Sequence, residues 1–242
     1  MKQGFFEIIK NENIAPSVYK MVLAGDTSAI TNAGQFVNIK IDGLFLRRPI
    51  SVYDVDDKTV TIIYKVVGKG TEELSKMAKG SLDILTGLGN GYDLSLSGDN
   101  PVLIGGGVGV PPMYNLAKRL IAMGKKVSVI LGFNTKAEIF CEQDFKDLGA
   151  SVTVTTVDGS YGVKGFVTDA MKDMEYSYFF CCGPEPMLKA VYKTGVTSGQ
   201  FSFEERMGCG FGACMGCSCK TVAGNIRICK EGPVLKKENI LW

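Results

Sequence analysis

The 242-residue chain contains no histidine. That absence excludes Rieske-type clusters, zinc fingers with paired histidines, and every imidazole-based acid–base or nucleophile-activating arrangement. Long apolar runs are also missing: no segment reaches the ~18–20 continuous apolar residues of a membrane span. The opening MKQGFFEIIKNENI carries Glu7 and Lys10 where a signal peptide needs its apolar stretch. These features predict a cytoplasmic chain with no membrane segment, in a compartment where thiols stay reduced. There is no basic run either, and the net charge is only +2, which excludes the cationic footprint of a nucleic-acid binder. No internal repeat or low-complexity tract is visible. With 45% hydrophobic and 21% charged residues, the composition excludes a disordered chain.

What the chain has in excess is glycine, 30 of 242 residues, and cysteine, eight in all. The glycines mark places where backbone turns sharply or approaches a ligand closely. Reduced cysteines in this number imply metal or redox work for some of them rather than a disulfide scaffold. Five fall between Met207 and Leu235, and the spacing Cys209-x4-Cys214-x2-Cys217-x11-Cys229 matches the plant-type 2Fe–2S pattern. Gly208, Gly210, Gly212 and Gly216 suit that reading, because cluster sulfurs accept backbone N–H bonds and the chain must wrap tightly. A four-cysteine zinc site and free structural thiols are the alternatives, although zinc usually shows two C-x2-C knuckles and only Cys214 and Cys217 form one. Cys219 is left over. It is expected to be a buried apolar residue at the start of a strand, SCKTV. Cys141 and Cys181 read as small core hydrophobes.

The chain divides into three regions by pattern. Residues 1–98 alternate short apolar segments with turns, as in 36–41, 50–53 and 60–67, with one helix that Thr71 is expected to cap and Gly80 to stop. Many short strands and one helix predict a small antiparallel β-barrel. Residues 99–201 change rhythm: strands at 102–104, 127–131, 151–157 and 178–182 alternate with helical stretches such as 112–123. That alternation predicts an α/β domain with a parallel sheet. Residues 202–242 are too short to hold a core and need a ligand to organise them.

Gly105, Gly106, Gly107 and Gly109 lie between a strand and a helix, a placement that suits a diphosphate near the helix N-terminus or a tight structural turn. The spacing is not G-x-G-x-x-G, and the acidic ribose ligand expected after the second strand is replaced by Gly132-Phe133-Asn134. Asp158 follows the next strand and reads as a sugar-hydroxyl ligand or a solvated loop carboxylate. Cys182, Gly183 and Pro184 turn the chain into a helix beside a nicotinamide position. In the first region Arg48 offers a planar fork to a diphosphate, Ser51 a hydroxyl to a flavin edge, and Gly70-Thr71 a helix start. Each taken alone is equally an exposed charge or an ordinary cap.

Taken together, Arg48-Pro49-Ile50-Ser51, the Gly105–Gly109 loop followed by Pro111-Pro112, and Cys182-Gly183-Pro184-Glu185-Pro186-Met187 run in the order seen in the ferredoxin–NADP reductase superfamily. The whole chain, cysteine loop included, resembles the electron-transfer subunits of the NAD-linked (class B) dihydroorotate dehydrogenases. The resemblance implies FAD on the barrel, NAD on the α/β domain and a 2Fe–2S cluster on 202–242, a β-barrel plus α/β fold with a small C-terminal subdomain. It also places Ile63, Tyr64 and Lys65 along the flavin. Pro49 and Ile50 stand where many reductases have a flavin-stacking tyrosine, and Tyr53 or Tyr64 is the expected substitute.

A nicotinamide exchanges electrons in pairs and a 2Fe–2S cluster singly, so flavin belongs between them. The resemblance further implies an FMN-containing dihydroorotate dehydrogenase catalytic subunit as partner, in a two-plus-two heterotetramer of pyrimidine biosynthesis. The apolar tail Ile240-Leu241-Trp242 is a candidate for binding it. A subunit of an NAD(P)H-dependent ferredoxin or sulfide oxidoreductase is the neighbouring alternative. A non-catalytic iron–sulfur redox sensor is the alternative from another class.

Overall fold

A computed structural model describes residues 1–242. Six strands close into a barrel: β1 (Lys2–Ala15), β2 (Val18–Ala24), β3 (Phe36–Ile39), β4 (Arg48–Val55), β5 (Thr59–Lys65) and β6 (Ser81–Leu88). Their order is β1-β2-β5-β4-β3-β6, antiparallel throughout. Alternation drives the closure: Val37 and Ile39, Val60 and Ile62, and Leu82 and Ile84 all point into one apolar core.

Helix α1 (Lys69–Lys76) follows β5, and its start corrects the expected cap. Gly68 is the capping residue, and Thr71 lies one turn inside, its hydroxyl accepting the N–H groups of Val67 at 3.0 Å and Gly68 at 3.3 Å. Thr71 thus supplies the side chain that reaches back to free donors at the helix entrance. The helix ends at Lys76. Gly80, at φ +116°, turns the chain into β6 instead of stopping the helix.

The second unit runs β7 (Val102–Gly106), α2 (Pro111–Ala122), β8 (Ser128–Phe133), α3 (Glu142–Asp147), β9 (Ser151–Thr156), β10 (Val163–Lys164), α4 (Val167–Met171), β11 (Phe179–Cys182), α5 (Glu185–Thr194) and β12 (Gly199–Ser202). Pro111 and Pro112 open α2, where their missing N–H groups cost nothing. The strands form a parallel sheet in the order β10-β9-β8-β7-β11-β12. Helices cover both faces. The α2–α3 side shares its core with Ala15, Val18, Tyr53 and Ile63 of the barrel. The α4–α5 side shares its core with residues from the end of the chain.

After β12 come a hairpin, β13 (Ser218–Thr221) and β14 (Gly224–Arg227), and then β15 (Val234–Lys236), which adds an antiparallel edge to β12. This stretch has no core of its own. Cys217, Ile228, Cys229 and Ile240 pack in the same apolar cluster as Phe36, Leu85 and Leu88 of the barrel. The chain ends with Trp242 against Phe203 at 5.4 Å and Tyr192 at 6.0 Å, under the Lys189 ammonium at 5.3 Å. No helix is long and apolar enough to cross a membrane.

Candidate functional site

Three groups of predicted residues are each brought together by the fold. On the barrel, the Arg48 guanidinium lies over Gly70, at the start of α1. A Cβ on Gly70 would collide with it, so only glycine permits this approach. Arg48 Nη1 donates to the carbonyl of Leu46. Gly70 and Thr71 are buried, while Arg48, Pro49, Ile50 and Ser51 are half-buried along β4. Alternation splits the next segment: Tyr64 turns into the barrel, Ile63 into the seam with the second unit, and Lys65 to the surface. The Tyr64 hydroxyl donates to Asn11 Oδ1 at 3.1 Å, and burial pushes it up to about 12. Tyr53 stacks on Tyr114 with ring centres 4.3 Å apart. Both tyrosine rings therefore already have packing partners.

In the second unit, β7 passes through a single 3-10 turn, Gly107–Gly109, into α2. The glycines divide by role. A Cβ on Gly105 would lie 2.8 Å from Val110 Cα, one on Gly106 would strike Met187 Sδ, and one on Gly109 would strike the carbonyl of Cys182. Gly105 lets the turn close on Val110, and Gly106 and Gly109 let it pack against the segment from Cys182 to Met187 after β11. Gly107, at φ +52°, has no other atom within 4 Å of its Cβ position and is the glycine left open to a ligand. Gly107 and Val108 line a cleft with Phe133, Glu138 and Phe140 of their own unit and with Pro16, Val18 and Lys65 of the barrel. Burial pushes the Cys182 thiol up to about 12, so it stays protonated at neutral pH. Asp158 is exposed, and its carboxylate accepts the N–H of Ser160 at 2.9 Å and its hydroxyl at 2.6 Å. Those two bonds, hydroxyl first, hold it below the usual carboxylate range.

In the C-terminal region the four thiols form two hydrogen-bonded pairs, Cys209 with Cys214 and Cys217 with Cys229. Cys209 Sγ accepts the N–H of Ala213 at 3.2 Å and of Cys214 at 3.5 Å. Cys214 Sγ accepts Cys209 N–H at 3.4 Å and Gly216 N–H at 3.5 Å, and Cys217 Sγ accepts Cys229 N–H at 3.4 Å. Burial raises the Cys209 thiol, but the N–H groups of Phe211, Cys214 and Ala213 outweigh it and bring it down to about 6. Burial, with Cys217 beside it, pushes Cys229 up to about 12. Gly210 and Gly212 lie at φ +78° and +93°, conformations that side chains oppose. Backbone N–H bonds to three of these sulfurs, Cys209, Cys214 and Cys217, fit a 2Fe–2S cluster in donor type and hydrogen bonding. Cys219 is half-buried against the apolar cluster rather than fully buried, because the short hairpin β13–β14 leaves one face to solvent.

The cysteine loop lies against the barrel face that carries the β4 residues. Register pairs Phe36 with Ser51 and Asn38 with Pro49. Phe36 shares its apolar cluster with Cys217 and Cys229, and Asn38 Nδ2 donates to the Cys209 carbonyl at 3.1 Å.

Comparison with known proteins agrees with this geometry. A model described as the iron-sulfur cluster binding domain of dihydroorotate dehydrogenase B matches residues 204–241, and one for the oxidoreductase NAD-binding domain matches 103–193. The dihydroorotate dehydrogenase B (NAD(+)) electron transfer subunit of Bacillus pumilus is 42% identical, over 99% of this chain and 98% of its own. That of Fusobacterium nucleatum is 45% identical over 93% of each. The chain belongs to the electron transfer subunits of dihydroorotate dehydrogenase B. Among solved structures, one described as an NADH-dependent reduced ferredoxin-NADP oxidoreductase superimposes with a TM-score of 0.89 at 30% identity, over 99% of this chain and 90% of that one. A ferredoxin NADP+ reductase from Neisseria gonorrhoeae with bound FAD and NADP, 17% identical with a TM-score of 0.70, shares the fold over 80% of this chain. The matched models thus give this family member an NAD-binding domain and an iron–sulfur cluster domain, on a fold shared with flavin reductases.

Two residues of this subunit escaped the sequence reading. Glu138 supplies an acidic group after β8, where none was expected. Its carboxylate folds back to accept Asn134 N–H at 3.2 Å and Asn134 Nδ2 at 2.9 Å. The i, i+4 spacing of Asn134 and Glu138 around a 3-10 turn is the signal that could have found it. Asn38 looked like one more polar residue in a strand, and only the fold puts it next to Cys209.

Proposed function

We infer that this chain carries electrons from a dihydroorotate-oxidising partner to NAD+, through the 2Fe–2S cluster and FAD. The reading rests above all on one observation: the cysteine loop packs on the barrel face bearing Pro49 and Ser51, tied to it by the Asn38–Cys209 hydrogen bond. When bound, FAD supplies the conversion between hydride and single-electron transfer that joins nicotinamide to cluster.

The chain's own groups bind and orient. Arg48, with Gly70 and Thr71 at the N-terminus of α1, takes the flavin diphosphate. Pro49 and Ser51 face the flavin, and Ile50, Ile63, Tyr64 and Lys65 meet it through the main chain, with the Tyr64 ring turned into the barrel. Gly107 offers open backbone to the NAD diphosphate, with Gly105, Gly106 and Gly109 shaping the turn. Asp158 faces the sugar hydroxyls, and Cys182, Gly183 and Pro184 bound the nicotinamide end. Cys209, Cys214, Cys217 and Cys229 hold the cluster, and Cys219 does not. In this division residues 1–98 bind FAD, 99–201 bind NAD and 202–242 hold the cluster, in a cytoplasmic enzyme.

The partner in this reading is an FMN-containing dihydroorotate dehydrogenase catalytic subunit, two copies of each chain assembling together. Leu241 and Trp242, half-exposed beside α5, contribute to that contact. Truncation after Ile240 is expected to weaken assembly in gel filtration, and unchanged assembly removes the tail from the interface. The ferredoxin-linked alternative draws on the 0.89 TM-score, but the curated relatives match at higher identity. Co-expression with the catalytic subunit tests the reading: the purified complex should reduce NAD+ with dihydroorotate. A complex that instead couples NADH only to ferredoxin would replace it.

A further inference from the structure

Asn38 is an amide in an apolar row. It is 1% exposed on β3, where Val37 and Ile39 point into the barrel core and Phe36 into the cluster shared with Cys217 and Cys229. Residues directly opposed across an antiparallel pair show their side chains on one face. Asn38 therefore shares a face with Pro49, and Phe36 with Ser51 two residues along. Burying an amide without hydrogen bonds is costly, so its retention among hydrocarbon neighbours needs a partner.

One partner is visible. Nδ2 donates to the Cys209 carbonyl at 3.1 Å. The approach is so close that a Cβ on Gly210 would collide with this amide, and Gly210 sits at φ +78°. An acceptor at Cys209 requires the NH2 end of the amide to face the loop. The oxygen, Oδ1, is left buried with no donor from the protein. The backbone of Asn38 is pinned from behind, since Arg47 Nη1 donates to its carbonyl at 3.4 Å and to that of Asp83 at 2.9 Å.

We propose that Asn38 is a positioning residue that fixes the main chain of the cluster ligand Cys209 against β3 and the neighbouring strand β4 assigned to the flavin. The inference deepens the relay reading and rests on it. A single rigid amide, anchored in the barrel wall, sets how far the first cluster ligand stands from the strand surface assigned to the flavin. Its unpartnered Oδ1 is the cost of keeping a donor there. The structural alternative, a polar residue that merely seals the barrel, predicts a stability effect and nothing at the cluster.

The test uses the co-purified complex with Asn38→Leu, which is close in volume and cannot donate, and Asn38→Asp, which sets a carboxylate against the Cys209 carbonyl. Both should shift the EPR g-values of the dithionite-reduced cluster. Both should also lower the rate of cluster reduction relative to flavin reduction several-fold after mixing with NADH. Wild-type g-values and an unchanged rate ratio in variants with full iron and sulfide would overturn the proposal. If the variants lose iron, the metal-free full chain decides: amide hydrogens of residues 208–212 should exchange at least tenfold faster in Asn38→Leu than in the metal-free wild type. Equal exchange would overturn it. Wild-type complex lacking iron would instead sink the relay reading, which keeps the two failures apart.

Discussion

Replacing Asp144 by alanine should loosen the seam between the barrel and the α/β unit. The Asp144 carboxylate, on α3, accepts the Tyr53 hydroxyl from β4 and the Lys20 ammonium from β2 at 3.2 Å. Lys20 also lies 4.8 Å from the centre of the Tyr53 ring. Tyr53 is only 3% exposed. Burial, then the Cys141 thiol, then Asp144 itself drive its hydroxyl far above the usual range, so it remains a donor. A buried hydroxyl left without its acceptor costs about 1–3 kcal/mol. The Lys20 pair, with side chains 29% and 36% exposed, adds about 0–1 kcal/mol after solvent screening.

The expected loss is therefore about 2 kcal/mol, or roughly 4–8 °C in melting temperature for a chain of this size. Tyr53→Phe should cost less, because Asp144 retains Lys20 and water. The cycle Asp144→Ala, Tyr53→Phe and the double variant should show a coupling of about 1 kcal/mol. Circular dichroism melts with saturating FAD measure the stability, and stopped-flow reduction of the flavin band by NADH reports the seam. The rate should fall in Asp144→Ala, since the two residues belong to the units assigned to flavin and to nicotinamide. An additive cycle, with melting unchanged within about 1 °C, would refute the reasoning.

Three further outcomes are expected. Gly109→Ala would drive a Cβ into the Cys182 carbonyl; over-packing of about 1–3 kcal/mol should raise the KM for NADH several-fold while FAD and iron contents stay constant. Cys219→Ser should retain full iron, whereas Cys214→Ser should lose the cluster absorption, as iron and sulfide analysis would show. Arg47, bonding Asp83 at 2.9 Å, holds that carboxyl below the usual range, with Gln3 adding to it. A lowered folded value stabilises above the ordinary carboxylate pKa of ~3.9 and is lost as pH falls through the folded one. Asp83→Asn should accordingly be less stable than wild type at pH 6 in urea, with the gap narrowing below about pH 4.

Local chemistry explains what was legible in the sequence. The cysteine spacing, the strand–glycine–helix run from Val102 to Ala122 and the strand–helix rhythm are short-range patterns that tertiary packing leaves intact. The hairpin β1–β2 was missed because outward-facing Phe5 and Ile9 sit beside inward-facing Phe6 and Ile8, and a bulge between Ile8 and Lys10 further breaks the period of two. Strand β15 escaped because three residues give too little alternation, and its pairing with β12 crosses the whole cysteine region. The glycine loop was read as a diphosphate cradle or a tight structural turn. Gly105 answers to Val110 within the turn itself, whereas Gly106 and Gly109 answer to Met187 and to the carbonyl of Cys182, contacts that exist only once β7 and β11 lie side by side. Thr71 was one turn out of place because its hydroxyl can serve either as a cap or from inside the first turn, and sequence does not distinguish the two.

The relay itself is tested most directly by mixing the anaerobically purified complex with NADH and following flavin absorbance and low-temperature EPR together. The account predicts two irons and two sulfides per chain, bleaching of the flavin band, and the growth of a reduced 2Fe–2S signal from the same sample. Zinc in place of iron, or a flavin that bleaches fully while the cluster stays oxidised despite a potential within its reach, would contradict it.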